Sequence, residues 1–583
     1  MIKIPNETKQ LTQSNRSDIL GNILVSFNLD LTSNLGKIRF SPRMILNTTE
    51  DAGGSLNVAT AFVFFEGVWW ATAGNFVWKQ PSGVESTFAK DAGTGTPTDL
   101  LSADTNPDMI AWKNVLYVSG NNKIYKLPSP FTTWTAITGG DGSQGSIVRY
   151  GNKLYFVNND TEIAYTDGTT ITVPSGTNPN TTASTLDLAN SGESKITCMR
   201  ASSNRIWIGT ASRGGKGRVY EWDGVSVTEI NFYTLESQAV MAMAIKDDVP
   251  WIVDAEGRLL VFNGGSFQEK ARLPVPKGFF LHNQMLLTPT SETATEDRFI
   301  HFNGISVQDE SILLLISNRY QANDNLPLDE RLPSGVWEYN ERNGLHHKYS
   351  LSHWAYSDTS ETDYGMNLNS FIGALASDNR IGAVKGTLLA SALYDKSPSG
   401  AYGIFFNNKD NDIVKTGYLI TPQIHSQNIQ DTWQQIAVIH QEYQNSTDSI
   451  KTKFRTKKES PTYIEATWTS TTTFTTTTNI LGKEGYEVEI LNKTGAGMVA
   501  HISSIDWNNS VYTVTLDETI TGATGTSDVR LLNWTLIDQT KQDVDYKEFS
   551  VGRKSRWVQF KVFFKGTGEN EIDELLIDNV KHK

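Results

Sequence analysis

Cysteine is almost missing from this chain: Cys198 is the only one in 583 residues. One thiol excludes a disulfide framework within the chain and a multi-cysteine metal site. Long apolar runs are missing as well. The longest aliphatic run, Ile312-Leu313-Leu314-Leu315-Ile316, falls far short of the roughly 20 residues a membrane helix needs. The opening Met1-Ile2-Lys3-Ile4-Pro5-Asn6-Glu7 has no apolar stretch of the signal-peptide kind, so the expectation is folding in a reducing cytoplasm without membrane insertion. Basic charge is in deficit. Lys and Arg number 51 against 64 Asp and Glu, a net charge of −13, which disfavours broad binding to nucleic-acid phosphates. Helix signals are scarce; Gln434 to Tyr443 is the most ambiguous stretch and reads as strand.

Present instead are Thr, Ser, Asn and Gly together with 15 Trp, 20 Tyr and 25 Phe, a mixture suited to short strands joined by turns. Apolar residues at 38% and charged residues at 20% describe neither a disordered chain nor a membrane chain. The sequons Asn47-Thr48-Thr49 and Asn180-Thr181-Thr182 are what chance supplies in a Thr-rich sequence.

One pattern recurs: an apolar strand, a polar turn, an aromatic-rich strand, a turn, a third strand. It is clearest from Met109 to Tyr125, from Ile147 to Tyr165, from Ile196 to Trp222 and from Val240 to Phe262. A less regular copy covers Phe62 to Ala71, and weaker ones centre on Ile312 to Ile316 and on Leu388 to Ala392. Asp167-Gly168, Asp223-Gly224 and Asn263-Gly264 each follow a third strand. Asx-Gly between apolar strands is a hairpin signal, with positive φ expected at both turn residues. Trp70, Tyr117, Tyr155, Trp207 and Trp251 mark successive second strands. They recur at roughly the 40–50 residues of a four-stranded propeller blade. Such a blade cannot bury both faces alone, but neighbours around an axis bury them for each other. The count is about seven blades, or six if one weak copy is not a blade. A pair of ordinary β-sandwiches is the plainer alternative.

Residues 1–25 read as an N-terminal arm. Residues 26–46 alternate like strands and are expected to close the ring by pairing with the last blade. After about 425 the pattern changes. Ile450 to Lys457 alternates with basic residues on one face, and Trp557 to Lys565 alternates too, so both read as half-buried strands of a sandwich. Thr467 to Thr478 reads as a linker or a polar strand. The stretch beyond it, through Gly485-Tyr486-Glu487-Val488-Glu489-Ile490 and Val511 to Leu516, reads as a small inserted barrel. The fold expected is all-β: a β-propeller over 26–425 and a C-terminal β-sandwich over 426–583, with a small β-barrel inserted over 480–535.

No catalytic signature is present: no nucleophile elbow, no His-Glu-x-x-His, no phosphate loop. Gly140-Asp141-Gly142-Ser143-Gln144-Gly145 lacks the elbow glycine two residues before Ser143 and reads as a turn. His346, His347 and His353 lie close in sequence, but adjacent residues on a strand point to opposite faces, so His346 and His347 do not naturally share one ion. Asp410-Asn411-Asp412 has no later Glu at the offset a calcium loop uses. Asp254, Glu256, Asp297 and Glu310 are candidate carboxylates of the kind propeller hydrolases converge near the ring centre; surface charge is the plainer reading. Trp69 and Trp70 point opposite ways, suited to sugar stacking if exposed and to two cores if the sheet is covered on both faces. The expectation is no catalytic residue, no metal site and no cofactor.

Ser26-Phe27-Asn28-Leu29-Asp30-Leu31, Gly36-Lys37-Ile38-Arg39-Phe40-Ser41-Pro42-Arg43, Asn152-Lys153-Leu154-Tyr155-Phe156 and the C-terminal stretch with Ile572-Asp573-Glu574-Leu575 resemble structural proteins of tailed bacteriophages. The resemblance spans most of the chain and includes no catalytic motif. It implies a virion component of the tail or tail tip, assembled in the host cytoplasm beside other phage tail proteins. Nozzle proteins of short-tailed phages use a propeller in that position, usually as a ring of identical subunits. The resemblance therefore also implies a homo-oligomer, with a ring around a DNA-ejection channel as one arrangement and no specific binding of the passing DNA. The alternatives are a receptor-binding propeller that holds host glycans and, last, a polysaccharide-cleaving enzyme.

Overall fold

In a computed structural model, the structure describes residues 59–80, 87–98, 107–143, 145–175, 180–191, 195–212, 215–273, 298–318, 335–342, 344–351, 449–457, 459–490, 499–520 and 522–539. Elsewhere it describes the strands named below and a few residues beside them. The chain is all-β: among the described residues the one helical element is a three-residue 3-10 turn, Ala189–Ser191, and no helix is long and apolar enough to cross a membrane.

Seven sheets follow one another along the chain, antiparallel except that the short strand Leu281–His282 pairs parallel at one edge of the sixth; leaving that strand aside, their first strands are Ala59–Phe65, Met109–Trp112, Ile147–Tyr150, Lys195–Ala201, Val240–Lys246, Arg298–Gln308 and Ile372–Ser377. Each first strand contacts the next, and Ile372–Ser377 returns to Ala59–Phe65. Meander sheets set in a closed cycle are the architecture of a β-propeller. The ring is closed by an N-terminal strand that overlaps only the end of the expected stretch 26–46. Met44–Thr49 pairs antiparallel with Ala401–Asn407 and supplies the fourth strand of the seventh sheet.

Apolar clusters fill the spaces between sheets. Trp69 belongs to the cluster that the first sheet shares with the seventh, and Trp70 to the one it shares with the second. Both rings are buried, so the pair is core, one ring per face. Second-strand aromatics also tie sheets together. The Tyr155 hydroxyl donates to the Gly224 carbonyl of the next sheet at 2.7 Å, and Trp207 packs on Phe262, ring centres 5.0 Å apart. Cys198 is buried, and burial pushes its thiol up to about 11.

The turn chemistry differs from expectation. In Asp167-Gly168, Asp223-Gly224 and Asn263-Gly264 the glycines have positive φ and the Asx residues do not. The Asx side chain instead accepts backbone N–H bonds two and three residues on, as from Val225 and Ser226 to Asp223 at 2.8 Å. That is an Asx turn rather than a tight hairpin. Paired positive φ occurs between first and second strands, at Glu66-Gly67, Lys113-Asn114 and Asp247-Asp248, where the two-residue loop must match the strand twist.

Three domain expectations need correction. Val25–Phe27, Leu29–Asp30 and Ile38–Phe40 do not join the propeller; they pair into two six-stranded sheets with strands from 416 onward. The arm contains a strand, Ile2–Ile4, paired with Glu571–Val580. The inserted barrel starts earlier than 480. Its six strands close from Thr462–Ser470 and Thr473–Thr476 to Gly525–Leu532, so the Thr-rich segment is barrel wall, not linker. Gln434 to His440 lies in the strand Thr432–His440, as read. Gly140 to Ser143 lies in the strand Thr135–Ser143, not in a turn.

Candidate functional site

The propeller axis is built from the starts of the first strands. In five of the seven, pairing with the second strand slips near the start. Such bulges re-aim side chains. Polar side chains at this level reach forward to the next sheet. Thr60 Oγ1 donates to the Pro107 carbonyl at 2.6 Å. Asp108 Oδ2 accepts from the Ile147 amide at 3.0 Å. Ser146 Oγ accepts from the Met199 amide at 3.1 Å and donates to its carbonyl at 3.2 Å. Three successive sheets are thus stapled to their neighbours through backbone groups that would otherwise be buried unpaired.

The largest irregularity is in the sixth sheet, where residues 301–304 stand out between Ile300 and Ile305. His301 Nδ1 accepts from the Asn303 amide at 3.1 Å, and a Cβ on Gly304 would meet the His301 carbonyl oxygen at 2.9 Å, so only glycine fits that fold of the backbone. The bulge delivers Asn303 to the axis. Its Nδ2 donates to the Thr60 carbonyl and to Asp108 Oδ1, both at 2.9 Å. Its Oδ1 accepts from Arg200 Nη2 at 2.6 Å. Arg200 also donates to the Met199 and Phe302 carbonyls at 2.7 and 3.2 Å. One network therefore bridges the first, second, fourth and sixth sheets.

Burial pushes the Asp108 carboxyl above its ordinary range, against Arg200, the Ile147 and Met109 amides and Asn303, which all favour the charged form. Burial, with Arg200 nearby, pushes His301 down to about 3; its Nε2 is buried without a hydrogen-bond partner, which suits a neutral ring. Above the network lies a cup of about 540 Å³, lined from six of the seven first strands or their ends. Its lining includes Asp108 and Asn303 of the network, the apolar Phe62, Ile110 and Leu375, and the exposed Arg149.

The residues singled out from sequence do not assemble there. Asp254 is buried and accepts from the Arg258 amide at 2.9 Å and from Arg258 Nε at 2.7 Å, while Glu256 lies 3.8 Å from the same guanidinium. They form a structural clasp. Glu310 is exposed in a turn. His346 and His347 share the strand Gly344–Ser350; Nε2 of the first lies 3.4 Å from Glu338, and the second packs edge-on to Trp337. His353, Asp297 and Asp410 to Asp412 lie outside the described residues. Among the described residues no three His, Cys, Asp or Glu side chains group as a metal site. Sequence reasoning missed Thr60, Asp108, Ser146 and Asn303. The first three share one signal, a polar residue just before or at the start of an apolar first strand.

A second charged centre joins the barrel to the sheet beneath it. Lys453 and Lys561 lie directly opposite on paired strands Ser449–Arg455 and Trp557–Lys565. Glu487 of the barrel inserts between them, pairing with Lys453 and, at 2.7 Å, with Lys561. All three are buried, at 2%, 1% and 0% exposure for Lys453, Lys561 and Glu487. Burial opposes charge on Glu487, but Lys453 and Lys561 hold it well below the usual range. Burial lowers Lys453 to about 8, Glu487 opposing. Two residues along each barrel strand, Arg530 Nε donates to Glu489 at 2.8 Å. The basic face of Ile450 to Lys457 is thus turned in part to the barrel, not to water.

No protein-family model matches the chain, and no curated protein matches it. Among solved structures it is similar to the extracellular domain of the putative one component system BT4673 from B. thetaiotaomicron, at 13% identity over 68% of this chain and 42% of that one, TM-score 0.40. It is also similar to the WD40 beta propeller domain of Doa1 (11% identity, 63% and 98% covered, TM-score 0.37) and to the Neurospora crassa Pan2 WD40 domain (8%, 64% and 98%, 0.38). The chain spans under half the length of the BT4673 domain. At TM-scores this low, none of these likenesses carries an argument about this chain.

Proposed function

We propose that this protein is a structural component of a bacteriophage tail: a seven-bladed propeller carrying a β-sandwich and a small barrel, assembling with copies of itself and with other tail proteins. The reading rests on the resemblance of segments at both ends and in the blades to tailed-phage proteins. The observation that best supports a structural role is the tying down of the chain. Met44–Thr49 completes the seventh sheet, and Ile2–Ile4 pairs with Glu571–Val580, so first and last strands lock one another. Terminal strands held in sheets, together with a barrel closed on itself, suit a part that bears load. In a ring of subunits the net charge of −13 would repel DNA phosphates and limit sticking during ejection. The role proposed is non-catalytic, and the place of action is the virion, after assembly in the host cytoplasm. Electron microscopy of intact particles carrying a tagged chain tests it: a symmetric ring of copies in the tail is expected, and absence from purified particles refutes it.

One observation favours receptor binding as the second reading. In the barrel, the hairpin of Val499–Asn508 and Val511–Leu516 ends in Asn509 and Ser510, both at positive φ. Trp507, 61% exposed, stands beside exposed Asp506 and Asn508. A flat ring flanked by hydrogen-bonding groups suits a sugar face. Loss of host-glycan binding in Trp507→Ala, with unchanged melting, is the outcome expected of that reading; unchanged glycan binding removes it.

A further inference from the structure

We propose that the axial cup is a binding site for a small organic anion, a carboxylate or phosphate ester whose body packs against Phe62, Ile110 and Leu375 and whose charge is anchored by Arg149 and Arg200. The volume, about 540 Å³, lies within the range of small-molecule sites, which combine apolar walls with a few convergent polar groups. Six first strands or their ends contribute to the lining, so the walls are preformed by the propeller itself and binding requires no rearrangement of loops.

Charge selects the ligand class. The chain is acidic overall, yet two guanidinium groups line this cup. Arg200 spends its described bonds on carbonyls, the Ser146 hydroxyl and the Asn303 amide and hydrogen-bonds no carboxylate among the described residues. Arg149 is exposed and makes no ion pair among the described residues. The one carboxylate in the lining, Asp108, has its oxygens turned to Met109, Ile147 and Asn303. Asp248 is turned to Ser203, accepting from its amide at 2.6 Å. The positive charge of the cup is therefore not matched by a hydrogen-bonded acid. Of the two, Arg149 is exposed and Arg200 half-buried, so an entering anion meets Arg149 first. The Arg149 guanidinium fork suits carboxylate and phosphate oxygens alike, while Arg200, its terminal N–H groups already engaged, contributes its charge.

The test is isothermal titration of the full chain with glucuronate and with glucose 1-phosphate, which separate the two anion sources, and with neutral glucose. Saturable 1:1 binding of both anions and none of glucose is expected. Arg149→Glu should weaken it at least tenfold and Arg149→Lys less, since a lost charge-assisted bond is worth roughly that factor or more; Arg149 is exposed, so melting should not change. No saturable binding of either anion up to about 10 mM, a scale of weak association, overturns the inference, as does binding that survives Arg149→Glu. Neither result bears on whether the chain resides in a phage tail.

Discussion

Glu487→Gln is the most informative single change in the molecule. The glutamate is the shared counter-ion of two lysines that face each other across a strand pair. Glutamine keeps the shape and removes the charge. Lys453 and Lys561 are then left buried and opposed, with His501, itself pushed down to about 4 by burial, supplying no negative charge. Removing one member of a buried ion pair costs roughly 3–5 kcal/mol, because the remaining charge stays desolvated. Here two such charges remain, so the upper part of that range applies. The penalty should be local to the junction of barrel and sheet. Hydrogen exchange followed by mass spectrometry on peptides covering 449–455, 487–490 and 557–565 reads it directly. A loss of that size speeds exchange through local opening by roughly three to four powers of ten.

The pH dependence gives a second readout of the same change. Lys453 is lowered to about 8 in the folded chain from an ordinary 10.5, so between those values the unfolded chain holds more protons than the folded one. Stability contributed by this group therefore rises with pH across that window. In Glu487→Gln, Lys453 loses its counter-ion and releases its proton still more readily, so the defect should shrink as pH rises from 7 toward 10. The triple variant Lys453→Met, Glu487→Leu, Lys561→Met should recover most of the loss, since well-packed apolar replacements of buried ion pairs are often neutral or better. A local destabilisation below about 1 kcal/mol, or a triple variant as weak as the single, would refute the electrostatic account of this junction.

Asp108→Ala should lower propeller stability by roughly 2–4 kcal/mol in urea titration, since it strands the Ile147 and Met109 amides. Asp108→Asn should cost less, because one amide oxygen still accepts from Met109 and Asn303, while its NH2 leaves the Ile147 amide unpaired. His301 is held neutral, near 3 against an ordinary 6.5. The unfolded chain takes up a proton first as pH falls from 6.5 toward 3, so stability should decline across that window, and His301→Phe should flatten part of the decline in melting temperature against pH. Tyr155→Phe removes the hydroxyl bond to Gly224 and should cost about 1 kcal/mol, measured as a shift in urea midpoint; no shift would mean that solvent replaces the contact.

The propeller was legible because its signals are local and repeated. Aromatic second strands and Asx-Gly turns recur at blade spacing, and the strand pairs they mark are those observed, as in Ile147–Tyr150 with Lys153–Val157. The turn conformations were not legible, because Asx-Gly serves both tight hairpins and Asx turns, and the loop length decides between them. The destination of residues 25–40 was hidden for another reason: strand alternation tells that a segment pairs, not which edge it joins. The basic face of Ser449–Arg455 pointed the wrong way in sequence. Alternating Lys and Arg ordinarily faces water, and only the matching alternation of Glu487 and Glu489, both buried in the barrel, identifies the surface that covers part of it. The axial network had the weakest signal, since Asn303 reaches the axis through a bulge that no periodicity encodes.

That network also constrains how the proposed tail component can handle DNA. Asn303 is hydrogen-bonded at once to Thr60, Asp108 and Arg200, which come from three other sheets around the ring. A duplex cannot pass between side chains joined in this way across the axis. The propeller is therefore a solid block with a cup at one end, and any conduit must be the space enclosed by several copies of the chain. Opening the axis with Asn303→Gly should leave DNA passage unchanged while weakening the propeller, since it removes three bonds that link four sheets.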